Sequence, residues 1–158
     1  MNFTLRPFLT ALLIFFVITC SFSQSQSQHR ESQIVNYAEN IAAPLSSSEL
    51  SKIKEVYGDK AEKYVLSKPQ RLKDIKNILR NRIEFITVQN PQDQKDCELL
   101  SEVPLFNYYV SGLKRDDTVS IETFNPLKYL FNYNSIGNHI YRIDNTNQYI
   151  LVKSQFNN

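Results

Sequence analysis

The stretch "SKPQRLKDIKNILRNRIEFITV" (residues 67–88) decides the fold, because the spacing of its apolar residues changes within it. "IEFITV" (83–88) alternates between two faces and is rich in branched and aromatic residues, as is typical of a strand. The residues before it have helical spacing instead. The stretch therefore predicts a helix that leads directly into a strand. The apolar stripe of that helix is made of Leu72, Ile75, Leu79 and Ile83.

The residues before this stretch predict another helix. "SSSE" (46–49) has the form of a capping box, in which the Ser46 hydroxyl caps the helix and Glu49 reaches back to the Ser46 N–H. Gly58 is placed to end this helix, because glycine readily adopts the backbone conformation of a helix terminus. The apolar residues between these two signals form one helical face, made of Leu50, Ile53, Val56 and Tyr57.

Two more helix starts follow. Asp59 and Glu62 predict a short second helix that ends before Pro69. Ser67 of "SKPQ" predicts the cap of the third helix, with Pro69 in the first turn, where its missing N–H costs nothing. The polar residues of the third helix divide into a flank of Lys73, Lys76 and Arg80, a flank of Arg71 and Arg82, and a solvent-exposed back of Asp74, Asn77 and Asn81.

Strand patterns dominate the rest of the chain. "CELLSEV" (97–103) and "LKYLFNY" (127–133) predict strands, while "HIYRI" (139–143) and "QYILVK" (148–153) predict a hairpin around the turn residues "DNTN" (144–147). Helices first and strands second predict an α+β fold, with N-terminal helices packed on a C-terminal antiparallel β-sheet. One face of 127–133 would hold Leu127, Tyr129, Phe131 and Tyr133, and the other Lys128, Leu130 and Asn132.

The N-terminus has the features of a secretory signal peptide over residues 1–23. Arg6 supplies a positive charge, and an apolar run from Phe8 to Ile18 follows it. This run is shorter than the roughly 20 apolar residues that a membrane-spanning helix needs. We therefore expect export to the periplasm or to the outside of the cell, and no transmembrane span in the mature chain.

The cut site has two interpretations. Ser21 and Ser23 have the small-x-small spacing of a signal-peptide cut, which predicts a mature chain that begins at Gln24. "VITC" (17–20) resembles the site at which bacterial lipoproteins are cut and lipidated on cysteine, although Thr19 stands where a smaller residue is usual. Lipid anchoring through this cysteine, Cys20, is therefore the alternative to release.

The mature chain divides into a leader and one domain. Residues 24–44 are predicted to be a flexible polar leader, because "QSQSQHRESQ" at its start cannot bury enough apolar surface to fold. Residues 45–158 are long enough for a single domain. Cys97 is the only cysteine left after the cut, which excludes an intramolecular disulfide. The three glycines form no dinucleotide-binding, phosphate-binding or nucleophile-elbow motif, and we expect no cofactor.

Charge is divided unevenly along the chain. Residues 46–82 carry ten basic and five acidic side chains, a net charge of +5, and residues 83–158 carry six and nine, a net charge of −3. The helical part could therefore contact an anionic partner, such as envelope lipid or an acidic glycan, through Lys73, Lys76 and Arg80. The alternative is that these side chains bury their stems along the edge of a core helix. The near-neutral whole gives no reason to expect a nucleic-acid partner.

The best candidate for a binding site lies in "FNYYVS" (106–111). If this segment is a strand, Tyr108 and Tyr109 face opposite sides and one of them points away from the core. Together with Asn107, an exposed tyrosine could contact a ligand or an envelope protein.

A modification site is suggested by three residues further along the chain. Asp117–Thr118–Val119 resembles the Asp–Ser/Thr–aliphatic sequence that some bacteria O-glycosylate after export. If the resemblance holds, Thr118 carries a glycan and lies on the surface.

Catalytic groups are sparse. Cys97 and His139 could form a nucleophilic pair, but neither has a local motif. Glu98 and Glu102 would share one face of a strand, where two carboxylates could serve acid–base chemistry or simply face solvent. The sequence thus favours a non-enzymatic envelope or extracellular interaction module. The alternative is a small secreted hydrolase that uses carboxylates or the Cys97/His139 pair.

Overall fold

The computed structural model describes residues 35–90 and 96–156, and the predicted signal peptide, Cys20 and the cut site lie outside these ranges. In the described ranges the order is helices first and strands second. Helices α1 (Ser47–Tyr57) and α2 (Pro69–Asn81) precede strands β1 (Ile83–Thr87), β2 (His139–Arg142) and β3 (Gln148–Val152). The strands form an antiparallel sheet of order β1-β3-β2. The predicted α+β fold is confirmed.

The start of α1 matches its sequence signal. The Glu49 N–H donates to the Ser46 hydroxyl at 3.1 Å, and the Ser46 N–H donates to the Glu49 carboxylate at 2.7 Å, so both halves of the capping box form. Gly58 ends the helix with a positive φ of 52°, a conformation that residues with a Cβ rarely adopt. The predicted bounds of α1 are therefore confirmed.

The connection between the two helices is less regular than predicted. A 3₁₀ turn (Gly58–Lys60) and a π-helical segment (Glu62–Leu66) replace the short second helix. Ser67 does not cap α2, because its hydroxyl donates back to the Lys63 carbonyl at 3.4 Å. Lys68 takes the N-cap position without a side-chain hydrogen bond, and Pro69 begins the helix.

Two predicted strands are absent from the sheet. Residues 97–103 form turns with one isolated bridge, between Leu99 and Arg142. Residues 126–128 form a 3₁₀ helix, which starts where the Asn125 side chain accepts a hydrogen bond from the Leu127 N–H at 3.2 Å. Neither segment finds a partner that continues a ladder, which the alternation of side chains alone does not reveal.

The buried apolar residues form two clusters. The first, which we call the sheet cluster, combines side chains of the strands with side chains of the segments between β1 and β2, and the second, the helical cluster, lies between α1, α2 and the connecting turns. The half-buried side chain of Tyr133 packs against both clusters. Fully buried members of the sheet cluster include Phe124, Tyr129 and Ile150, and those of the helical cluster include Ile53, Val56 and Ile75.

The polar back of α2 is covered by the chain before α1. Ile41 is buried at the end of a 3₁₀ turn (Glu39–Ile41), and Asn40 exchanges side-chain hydrogen bonds with Asn81. Asn77 is buried and accepts a hydrogen bond from Asn81 at 3.0 Å. The predicted solvent-exposed back is therefore wrong for these asparagines. The packed structure also includes the last residues of the segment that the sequence assigns to a flexible leader.

Candidate functional site

Three partly or fully exposed tyrosines lie side by side at one end of the helical part. Tyr108 is 74% exposed, Tyr64 39% and Tyr109 38%. Two more deeply placed rings, Tyr57 and Phe106, support them from below. We call these five rings the tyrosine cluster. It holds three of the large apolar side chains that are exposed among the described residues.

The rings of the tyrosine cluster form a continuous series of contacts in space. Tyr109 lies between Tyr64 and Tyr57, with ring centroids 4.9 Å and 5.2 Å away and near-parallel planes at 28° and 27°. Phe106 contacts Tyr108 at 5.0 Å in a tilted arrangement. Aromatic pairs at these separations stabilise each other beyond the area that they bury. The rings of Tyr64 and Tyr109 are therefore held by stacking, and the more exposed ring of Tyr108 rests on Phe106.

The loop that carries the tyrosines is anchored by its backbone. The Phe106 N–H donates to the Lys128 carbonyl at 2.7 Å, and the Leu130 N–H donates to the Pro104 carbonyl at 2.8 Å. Val110 approaches the end of α1 so closely that a Cβ on Gly58 would lie 3.2 Å from its methyl group. Glycine at this position therefore serves both the helix terminus and the seating of the loop.

The sequence analysis singled out two residues of this cluster, but it did so by assuming a strand that does not form. Residues 106–111 are a loop, so Tyr108 and Tyr109 do not alternate across a strand, and both are exposed. Asn107 is exposed beside them, as the predicted contact requires. The sequence does not indicate Tyr64, because this residue lies in the π-helical segment, whose irregular turn the helical pattern does not predict.

The three basic residues predicted to contact an anionic partner do not form one surface. Lys73 is exposed, but the buried Lys76 ammonium donates to the carbonyls of Ile41 and Ala43 at 3.1 and 2.6 Å. Arg80 also points inward and donates to Glu49. These two cations hold the chain before α1, which matches the alternative of side chains buried along a core helix, and of the three residues Lys73 is the exposed one. Arg80 additionally donates to the carbonyls of Asn40, Ala43 and Pro44.

The proposed Cys97/His139 pair gains no support from the structure. Burial raises the pKa of the Cys97 thiol, which disfavours the reactive thiolate. The hydrogen bond from the Arg142 backbone, which acts in the opposite direction, is the smaller effect. His139 lies at the start of β2, opposite Val152.

The two glutamates do not share a strand face either. Glu98 precedes the Leu99–Arg142 bridge, and its carbonyl accepts a hydrogen bond from the Arg142 N–H at 2.9 Å. Glu102 lies in the turn that follows, where its carboxylate accepts a hydrogen bond from the Leu99 N–H at 2.9 Å. Thr118, the predicted glycosylation site, is exposed in a loop beside Asp117. The exposure is what modification of this residue would need.

Comparisons with known proteins identify no relative of this chain. The scan against family models, the search of curated proteins and the search of solved structures each returned no match. In the described ranges, none of the helices combines the length and the apolar content that crossing a bilayer requires.

Proposed function

We propose that the protein is an exported, non-catalytic binding module whose contact surface is the tyrosine cluster. The observation that carries this proposal is the exposure of three neighbouring tyrosines, of which Tyr64 and Tyr109 are stacked and Tyr108 packs on Phe106. Tyrosine presents a large, rigid contact area with a polar tip and loses little conformational entropy on binding. An exposed group of such rings is the usual composition of an energetically dominant contact.

The arrangement favours binding over the alternative, a secreted hydrolase. The tyrosine cluster offers aromatic faces and hydroxyl groups, which suit binding. The carboxylate or thiol that the hydrolase alternative needs is not among its side chains. The best thiol candidate, Cys97, has a pKa raised by burial, so it is a poor nucleophile at neutral pH. We place the partner in the envelope or outside the cell, because of the secretory features at residues 1–23.

Export and release are tested by the intact mass of the protein recovered from producing cells. We expect a chain that begins at Gln24 and leaves the membrane fraction without detergent. A mass that fits an acylated Cys20 would replace release by lipid anchoring. A mass that still includes residues 1–23 would contradict export.

Binding is tested by sedimentation of the purified protein with cell envelopes. We expect the triple variant Tyr64→Ser, Tyr108→Ser, Tyr109→Ser to bind at least about tenfold more weakly than the native protein, because truncation of a dominant contact costs about 2 kcal/mol or more. The matched control replaces Ile121 and Ile136, which are also exposed, by serine.

The control separates the tyrosine cluster from general hydrophobicity. The double variant Ile121→Ser, Ile136→Ser should sediment as the native protein does, and both variants should keep the native circular dichroism. Equal binding of the triple variant and the native protein would contradict the proposal. Equal loss in both variants would show adhesion through any apolar side chain and would contradict it as well.

A further inference from the structure

A cleft with a volume of about 430 Å³ lies beside the tyrosine cluster. One stripe of α2 and its C-terminal end lines the cleft from Gln70 to Arg82, and residues 129–134 contribute to the lining as well. The rings of Tyr57 and Phe106 border both the cleft and the cluster. A volume of this size accommodates a small organic molecule.

Arg82 places a buried positive charge in this cleft. Its side chain is only 4% exposed, and it donates to the Lys153 carbonyl at 2.9 Å and to the Tyr133 carbonyl at 2.7 Å. No carboxylate of the described residues lies within ion-pair distance of the guanidinium, which has five N–H donors. Burial lowers the pKa of Arg82, although the group stays charged at neutral pH.

The other charged groups that line the cleft already have partners. The Tyr37 hydroxyl donates to the Asp74 carboxylate, and the Gln70 amide donates to the same oxygen at 3.1 Å. Arg71 donates to the Tyr57 hydroxyl at 2.9 Å. Two arginines and one aspartate give the lining a net positive charge, and Arg82 is the buried one of the two arginines.

The uncharged part of the lining is rich in side-chain amides. Asn132, Asn134 and Gln155 line the cleft together with Gln70. Each amide can both donate and accept hydrogen bonds, which suits the hydroxyl groups of a polar ligand. A carboxylate matches the planar donor fork of an arginine and would give an ion pair to a buried cation whose neighbours are two carbonyls and the ring of Tyr133.

We propose that the cleft binds a small hydroxylated carboxylate of the sugar-acid class. Its carboxylate pairs with Arg82, and its hydroxyl groups bind the amides of Asn132, Asn134 and Gln155. This ligand site is additional to the proposed contact surface and does not depend on it. The cleft of this protein would bind the small acid whether or not a partner occupies the tyrosine cluster.

The test is a nuclear magnetic resonance titration of the native, isotope-labelled protein with D-galacturonate. The uncharged control is D-galactose, which differs from galacturonate only in carrying a CH₂OH group in place of the carboxylate. We expect galacturonate to shift the signals of the Arg82 Nε–H and the cleft amides in a saturable way, with a dissociation constant of about 1 mM or tighter. Galactose should bind at least about tenfold more weakly, because it cannot form the ion pair.

Variants distinguish the cleft from the rest of the surface. Asn134→Ala should weaken galacturonate binding about 3- to 10-fold, the effect of one lost hydrogen bond, while leaving the fold intact because Asn134 is exposed. The matched control Lys73→Gln removes an exposed charge from α2 outside the cleft lining and should leave binding unchanged. An Arg82 variant would also lose the hydrogen bonds to the Lys153 and Tyr133 carbonyls, so Asn134 is the cleaner probe of the cleft.

Three results would overturn the proposal. Galacturonate shifts confined to surface lysines such as Lys73 would place the anion outside the cleft. Equal binding of galacturonate and galactose would show that the ligand carboxylate does not pair with Arg82. Inorganic phosphate that binds as tightly as galacturonate would show a response to charge alone and would contradict the assignment to a hydroxylated carboxylate.

Discussion

Ile75 and Leu79 lie one turn apart on α2 but differ in burial. Ile75 is 1% exposed inside the helical cluster, while Leu79 is half-buried at its edge, although the sequence placed both in one apolar stripe. Ile75→Ala should therefore lower the free energy of unfolding by about 2–5 kcal/mol. Leu79→Ala should cost less, since part of its surface already contacts water. Urea unfolding of both variants measures the difference, and a larger loss for Leu79→Ala would contradict the packing.

The thiol of Cys97 should react slowly. Burial raises its pKa, so less thiolate is present at neutral pH than in a free model thiol. We expect iodoacetamide to alkylate Cys97 no faster than it alkylates glutathione under the same conditions. Rapid alkylation near pH 6 that disappears in His139→Ala would contradict this expectation and favour the hydrolase alternative.

Single residues also show where sequence reasoning stops. Lys76 follows the pattern of a solvated flank on α2, yet it is buried because two backbone carbonyls bind its ammonium group. Arg82 follows the other flank and is buried in the same way. A sequence pattern can suggest that the stems of such side chains are buried, but it cannot indicate the backbone carbonyls that bind their charged ends.

At the scale of the elements, the stability that the start of α1 contributes should depend on pH. Two hydrogen bonds from the Arg80 guanidinium lower the pKa of the Glu49 carboxylate from 4.5 to about 2, although its partial burial acts the other way. A lowered carboxylate pKa contributes stability that is complete above pH 4.5 and is lost as the pH falls towards 2. We expect this one group to account for about 1–3 kcal/mol of the acid destabilisation.

The Glu49→Gln variant tests that contribution. Its stability should fall less between neutral pH and about 2.5 than that of the native protein, because glutamine does not titrate. Glu122→Gln is the matched control, since Glu122 is an exposed glutamate, and it should follow the native pH profile. Urea midpoints across this range give the comparison. Identical slopes for Glu49→Gln and the native protein would contradict the role of the Glu49–Arg80 pair.

Elements with local chemical signals were predictable, and elements defined by distant partners were not. The Ser46 capping box and the Asp/Asn turn of the hairpin form as the sequence indicates, and Asn145 in that turn has a positive φ of 56°. Residues 97–103 and 127–133 have strand-like alternation but pair through isolated bridges only. Their conformation depends on where the sheet ends, which is a property of the tertiary structure.

At the scale of the whole molecule, Lys128 joins the helical part to the C-terminal part. Its buried ammonium lies 3.1 Å from Glu55 on α1 and 2.7 Å from Asp116, in the loop that precedes the 3₁₀ helix of Lys128. Removal of one member of a buried ion pair typically costs about 3–5 kcal/mol, because the remaining charge loses its partner. Lys128→Ala should therefore be strongly destabilising.

The exposed pair Lys153–Glu84 provides the comparison. Its two side chains are 43% and 49% exposed, and a surface pair of this kind contributes about 0–1 kcal/mol. Lys153→Ala should therefore change the urea midpoint little. Equal effects of Lys128→Ala and Lys153→Ala would contradict the role of Lys128 in joining the two parts.

The tyrosine cluster and the cleft arise only at this scale. Tyr57 ends α1, Tyr64 lies in the π-helical segment, and Tyr109 lies in a loop more than forty residues later. The sequence could single out the neighbouring Tyr108 and Tyr109, because an adjacent pair of aromatics is visible in one dimension. It could not indicate that Tyr64 stacks on Tyr109, since no local signal links these positions.

The most direct test of the tyrosine cluster as a contact surface is photocrosslinking from position 108. Tyr108 is replaced by the photoreactive aromatic residue p-benzoylphenylalanine in cells that export the protein, and Ile121, 68% exposed, is replaced in the control. We predict a discrete adduct of higher mass from position 108 that is absent from position 121. Irradiation that yields no adduct at 108, or the same adducts at both positions, would contradict the account.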